Sequence, residues 1–164
     1  MFALVRVDSR LIHGQVVEVW LPLLKVRRIV VADDLAASTP LIRAAMGLAV
    51  PAPIQVEIAP LAQVDFARLG ASPERVLLLL RDVEAAQRAR ERGLSTASLN
   101  LGNLHFAPGS VQVSPSIFLR PADLAILRTL GAAGTALDVR AVPSEHSLTL
   151  ADLEARAACA AAHP

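Results

Sequence analysis

Short apolar runs recur along this chain, and the segments between them carry their apolar residues at helical spacing; that alternation constrains the fold more than any other feature. The runs occupy residues 2–7, 28–32, 54–58, 75–80, 96–101 and 136–142, and the helical segments residues 14–24, 40–48, 61–69, 83–92, 121–130 and 149–162. The Leu77-Leu78-Leu79-Leu80 run suits a buried helix or a strand by composition. Its shortness and the Arg81-Asp82 that follows favour a strand ending where a helix begins. Strands alternating with helices predict an α/β fold, a mainly parallel doubly wound sheet covered by helices on both faces. With 164 residues, more than half of them apolar, residues 1–164 suffice for one domain with a sizeable core. Residues 100–112 break the pattern at Gly102, Asn103, Pro108 and Gly109, which predicts a short hairpin or excursion there.

Charge and cysteine content exclude several functions. Sixteen Lys and Arg stand against 15 Asp and Glu, so no general field draws the chain to nucleic acid or anionic lipid. Cys159 is the only cysteine, which excludes internal disulfides and cysteine-rich zinc sites and fits a reducing compartment. The N-terminus is charged too early for a signal peptide. No run approaches the roughly 20 apolar residues of a membrane helix, so a soluble cytoplasmic protein is expected.

In a parallel sheet, ligands bind beyond the carboxyl ends of the strands, so the loop after the first strand is the place to look. It reads Asp8-Ser9-Arg10-Leu11-Ile12-His13-Gly14-Gln15. A phosphohistidine needs a nucleophilic imidazole nitrogen, cationic or N–H groups for the phosphoryl oxygens, and a group that fixes the tautomer. His13 offers the nucleophile. Arg10 offers a guanidinium fork, and the amides of Gly14, Gln15 and Val16 offer donors at a helix start. Asp8 either orients His13 or positions Arg10. Against this stands the plainer reading of each residue: a hydrogen-bonded loop histidine, a surface ion-pair arginine and a turn-capping aspartate.

Residues 5–16, Val5-Arg6-Val7-Asp8-Ser9-Arg10-Leu11-Ile12-His13-Gly14-Gln15-Val16, resemble the signature of IIB subunits of the mannose/fructose/sorbose class of the bacterial sugar phosphotransferase system (PTS). Trp20, residues 28–34, 75–80, 99–105 and 137–143 extend the resemblance over nearly the whole chain. The resemblance implies a phosphotransferase whose His13, reacting through Nδ1, accepts a phosphoryl group from a histidine of a IIA protein or domain. The group then passes to a sugar held by the membrane components IIC and IID, through which the protein meets the inner face of the membrane. It implies no metal and no organic cofactor. Ser9 stands where the signature usually has a second aspartate, and Ser110, after Gly109, where a basic residue is usual. The first change removes a negative charge beside the phosphate; the second bears on contact with a partner or with phosphate.

Arg81 follows the fourth strand, expected beside the first, and either enters the same crevice as a phosphate ligand or pairs with Asp82 or Glu84. His105 is expected to be structural or at a partner surface, and His146 and His163 to be exposed. A regulatory phosphoacceptor without a transport role is an alternative function. A small nucleotide-binding module is another, but neither a Gly-x-Gly-x-x-Gly after the first strand nor a Gly-x-x-x-x-Gly-Lys-Ser/Thr loop occurs.

Overall fold

The computed structural model describes residues 1–162, so His163 lies outside the described residues. Its strands are β1 (Phe2–Asp8), β2 (Arg28–Ala32), β3 (Gln55–Ala59), β4 (Val76–Leu80), β5 (Ser98–Asn103), β6 (Val111–Ser114), β7 (Ile117–Leu119) and β8 (Ala136–Val139). Six of them form one sheet in the order β3-β2-β4-β1-β5-β8, with every pairing parallel. The helices are α1 (Leu21–Leu24), α2 (Asp34–Ser38), α3 (Pro40–Ala49), α4 (Phe66–Ala71), α5 (Val83–Glu91), α6 (Pro121–Ala132) and α7 (Leu150–Ala162).

The sheet is buried on both faces, as its apolar strands require. Leu77 and Leu79 of β4 join Ile29 and Val31 of β2 in one core layer, to which Leu21, Ala36, Ile42 and Met46 contribute from α1, α2 and α3. Leu78 and Leu80 point the other way and join Val30, Phe66, Val83, Leu127 and Leu153 beneath α4 to α7. Period-two alternation thus sends one leucine run into two cores. The chain passes from β1 to β2 toward one edge and from β4 to β5 toward the other. The strand order therefore reverses around β1, and a crevice opens past its carboxyl end.

Several elements differ from the sequence expectation. The helix expected over 14–24 opens with a π-helical turn, Gln15–Trp20, before α1. The helix expected over 61–69 is divided: a 3₁₀ turn at Leu61–Gln63 precedes α4, and Asp65 caps α4 by accepting from the Arg68 amide at 3.0 Å. Helix α2 was not expected, although its cap is legible in Asp33, whose Oδ1 accepts from the Ala36 amide at 2.7 Å. The last strand ends at Val139 rather than at residue 142. The excursion expected over 100–112 is displaced: Asn100 to Asn103 belong to β5, and the hairpin is β6–β7, turning at Pro115-Ser116. Gly109 and its neighbours form the approach to the hairpin. Leu104 fastens the hairpin to the end of β5 through bonds with Ser116 and Phe118.

One ion pair ties the crevice rim together. Arg81, just past β4, donates from Nε and Nη2 to the two carboxylate oxygens of Asp33 at 2.6 and 2.7 Å, and from Nη1 to the Ser9 carbonyl at 3.3 Å. Although burial pushes the Asp33 carboxyl up, the Arg81 guanidinium and the Ala36 amide hold it below its ordinary value. Asp33→Ala removes a helix cap and leaves Arg81 without its carboxylate. It is expected to lower the unfolding free energy by about 2–3 kcal/mol, read from the urea midpoint at unchanged slope.

Candidate functional site

The site is organised by two charged residues at alternate positions of a buried strand. Arg6 and Asp8 project from the same face of β1, and both are fully buried. Arg6 donates to Asp8 Oδ2 from Nε at 3.0 Å and from Nη2 at 2.8 Å. The same oxygen accepts from Asn103 Nδ2 at 3.1 Å and lies 2.9 Å from His13 Nε2. Asp8 Oδ1 accepts from the Arg10 amide at 3.0 Å, and the Asp8 carbonyl accepts from the Leu11 amide at 2.9 Å. One aspartate therefore closes the turn and anchors the imidazole that follows it. Leu11 carries a positive φ of 55° with its side chain fully buried. That conformation costs a non-glycine residue roughly 1–2 kcal/mol, held here by the packing of Leu11 and the two bonds to Asp8.

A break in sheet register supplies the rest. Between β1 and β5, Val7 pairs with Leu101 but Asp8 pairs with Asn103, so Gly102 is an extra residue in β5. The bulge turns Gly102 and Asn103 toward the same face. Asn103 reaches Asp8 and also donates to Gln15 Oε1 at 3.1 Å. Gly102 leaves a space that the Arg6 guanidinium fills: a methyl group at Gly102 would lie 1.9 Å from Arg6 Cζ. The guanidinium also lies over the Trp20 ring, 5.3 Å from Cζ to the ring centroid. Trp20 is itself fastened by Nε1 donating to the Ala141 carbonyl at 2.9 Å. Arg6 Nη1 donates to Asn100 Oδ1 at 2.6 Å, and Asn100 Nδ2 continues to the Asp138 carbonyl on β8 at 2.9 Å.

The electrostatics follow from this packing. Burial pushes the Asp8 carboxyl up, but the His13 contact, the Arg6 charge and the Asn103 amide outweigh it and hold the carboxyl below its ordinary value. Burial lowers Arg6, yet a guanidinium starts so high that it remains a cation. His13 is nearly covered, its side chain 7% exposed; Nε2 is engaged by Asp8, whereas Nδ1 is buried with no hydrogen-bond partner. With Nε2 donating to a carboxylate, the lone pair of a neutral ring sits on Nδ1.

Of the residues singled out from sequence, Asp8, His13, Gly14, Gln15 and Val16 converge at the end of β1 and the start of the π turn. Asp8 orients the His13 ring and holds the Arg10 amide, while the Arg10 guanidinium is exposed and, among the described residues, has no partner. Arg81 pairs with Asp33 rather than with Asp82 or Glu84. His105 is exposed, its amide donating to Ser9 Oγ at 3.3 Å, and His146 is exposed as expected. Ser110 turns inward to the Ala107 carbonyl at 2.7 Å. Sequence reasoning missed Arg6, Asn100, Gly102, Asn103 and the anchoring role of Trp20. A signal was present: Arg6 and Asn100 are polar residues inside otherwise apolar strands, where they persist only when paired.

The fold and site place the chain among parallel α/β domains that gather polar side chains beyond the carboxyl end of the first strand. Its sequence matches the family described as PTS system sorbose subfamily IIB component over residues 2–163, and the chain belongs to that family. It is 30% identical over 151 residues to the sorbose-specific EIIB component of Klebsiella pneumoniae, covering 91% of this chain and 92% of that one. It is also 30% identical over 157 residues to the mannose-specific EIIAB component of Escherichia coli (strain K12), covering 93% of this chain and 48% of the relative. The chain thus spans about half the length of that relative. Among solved structures, the IIB domain of the sorbose permease from Klebsiella pneumoniae superposes with a TM-score of 0.85 at 28% identity, over 94% of this chain and 96% of that one. The N-acetylgalactosamine-specific IIB component 1 from Escherichia coli gives 0.83 at 26%, over 90% and 97%.

The depressed Asp8 carboxyl makes the site's stability depend on pH with a defined sign. Its contribution is complete above the unfolded value of about 4 and is lost as pH falls through the lower folded value. The stability difference between the natural protein and Asp8→Asn is therefore expected to be largest near neutral pH and to shrink as the pH falls below about 4. Urea unfolding of both proteins across that range measures it.

Proposed function

We propose that this chain is a phosphohistidine carrier of a sugar phosphotransferase system. It accepts a phosphoryl group on His13 Nδ1 from a histidine of a IIA protein or domain and passes it to a sugar held by IIC and IID. The observation that carries the reading is the asymmetry of the imidazole, with Nε2 pinned to Asp8 and Nδ1 without a partner. As the donor's N–P bond breaks, the Nδ1 lone pair forms the new one and the proton stays on Nε2. The ring keeps its hydrogen bond from Nε2 to the Asp8 carboxylate throughout, so its orientation is unchanged by the transfer. Transfer onward breaks the Nδ1–P bond and returns the lone pair to the ring, while the accepting sugar hydroxyl forms the new O–P bond and releases its proton to water.

Arg10 and the amides of Gly14, Gln15 and Val16 receive the phosphoryl oxygens. The guanidinium is exposed beside the loop, and the first amides of a helix have no intrahelical acceptor. Arg81, committed to Asp33 and the Ser9 carbonyl, holds the loop instead of the phosphate. The protein acts on the cytoplasmic side and reaches the membrane through IIC and IID; no helix among the described residues is long and apolar enough to cross it.

Incubation with a phosphorylated IIA donor, followed by mass spectrometry under alkaline conditions, is expected to find one acid-labile phosphoryl group on His13. His13→Ala is expected to lose it with the fold intact, and label persisting on that variant at His105 would overturn the assignment. Phosphoryl transfer relies mainly on positioning and charge stabilisation, so Arg10→Ala is expected to slow transfer by ~10²-fold or more. Arg10→Lys keeps the charge without the fork and should recover part of the rate. Normal rates in both variants would assign Arg10 no part in transfer.

A further inference from the structure

The carboxylate that orients His13 creates a problem that the buried arginine resolves. An aspartate 2.9 Å from an imidazole favours the imidazolium form, in which Nδ1 carries a proton and has no lone pair to attack phosphorus. Here the same Asp8 oxygen also accepts two hydrogen bonds from the Arg6 guanidinium, and neither charged group meets water. We propose that Arg6 is a positioning residue for phosphoryl transfer: its buried charge neutralises Asp8, so that the carboxylate fixes the His13 ring through Nε2 without drawing a second proton onto Nδ1. This rests on the reading of His13 as the phosphoryl acceptor.

The geometry is built to keep that charge in place. Gly102 provides a gap that only a glycine leaves open, since a Cβ would lie 1.9 Å from Arg6 Cζ. Trp20 covers the guanidinium, and Asn100 Oδ1 takes the Nη1 proton that Asp8 does not use. Other titratable groups surround the pair on every side without replacing Arg6. Asp138 and Glu145 act on Arg6 from beyond β5, with Arg140 beside Asp138. Arg81 is paired with Asp33 past β4, while Arg10, Glu18 and His105 are exposed. Among the described residues, Arg6 and the His13 ring are the groups within ion-pair distance of the Asp8 carboxylate, and of the two only Arg6 carries a permanent charge.

The test is the pH dependence of the His13 ring, followed by ¹⁵N NMR on the unphosphorylated protein, together with the pH–rate profile of transfer from the IIA donor. Arg6→Met removes the charge and keeps the length. It should raise the pH at which the ring takes its second proton by about one unit or more, and the rate profile should move to alkaline pH with it. At pH 7 transfer should fall severalfold, tenfold being the limit that one unit sets well below the titration, and recover at higher pH. Gly102→Ala, which displaces the guanidinium while leaving every titratable group present, should shift both curves in the same direction. Arg6→Lys should bring them back toward those of the natural protein. A purely architectural Arg6 would lower stability and leave both curves unmoved in folded Arg6→Met or Gly102→Ala, which would overturn the proposal. Failure of the natural protein to take a phosphoryl group on His13 would overturn the carrier function instead, and the ring titration would still decide the role of Arg6.

Discussion

The contact between the Arg6 guanidinium and the Asp8 carboxylate is the constraint on which the carboxyl end of the sheet depends. Two opposite charges without access to water are costly unless every donor and acceptor finds a partner. That requirement explains features that look unrelated in the sequence. Asn100 and the Arg140 carbonyl take Arg6 Nη1, Gly102 makes room for the guanidinium, Trp20 covers it, and the Arg10 amide and Asn103 complete the coordination of Asp8. The sheet is accordingly divided on the face beneath the π turn. Around β2 and β4 that face is apolar, carrying Ile29, Val31, Leu77 and Leu79, whereas around β1, β5 and β8 it carries a connected polar layer from Asp8 to Asp138. The other face remains apolar across both halves. The apolar layers hold the fold together, and the polar layer specifies one rotamer for His13.

Element order and sheet class were legible because parallel strands buried on both faces leave an unmistakable record: β2 coincides with its expected span, and β4 differs by one residue at its start. The loop after β1 was legible for a different reason, the density of polar groups where an apolar strand ends. What escaped was set by tertiary contacts. The bulge at Gly102 makes room for an arginine on the neighbouring strand whose register partner, Asn100, is two residues earlier, and a lone glycine in an apolar run does not announce which neighbour needs the room. The division of the expected helix over 61–69 turned on Asp65, a cap whose position inside an apolar pattern was overlooked. The hairpin was misplaced because Pro108 and Gly109 are stronger turn signals than Pro115-Ser116, yet only the latter pair is flanked by segments able to pair and to pack Val113, Ile117 and Leu119 into the core.

The two departures from the family signature fall outside the layer that sets the imidazole. Ser9 points away from His13 along the rim, donating to the Arg81 carbonyl at 3.4 Å and accepting from the His105 amide, so it joins the first loop to the loop after β5. Ser110 closes its own turn at Ala107. Among the described residues, neither hydroxyl hydrogen-bonds to Asp8, Arg6 or the His13 ring.

The site therefore separates two tasks by burial. Arg6, Asp8, Asn103 and Trp20 are held in place by several partners each, which suits groups whose work is to present one nitrogen in one orientation. Arg10 lies at the opposite extreme, exposed and unpaired among the described residues, next to Ser9, whose hydroxyl accepts from the amide of the exposed His105. The carrier function proposed for this chain requires it to bind a phosphoryl group and then release it, and a fixed cation in a dry pocket would favour the first step at the expense of the second. In that proposed role an exposed guanidinium closes on the phosphoryl oxygens when a partner excludes water and relaxes when it leaves, because its attraction for the phosphate is screened in solvent and strengthened where water is displaced. On the function proposed, the buried arginine sets which nitrogen reacts, and the exposed one leaves the strength of phosphate binding to the partner that docks.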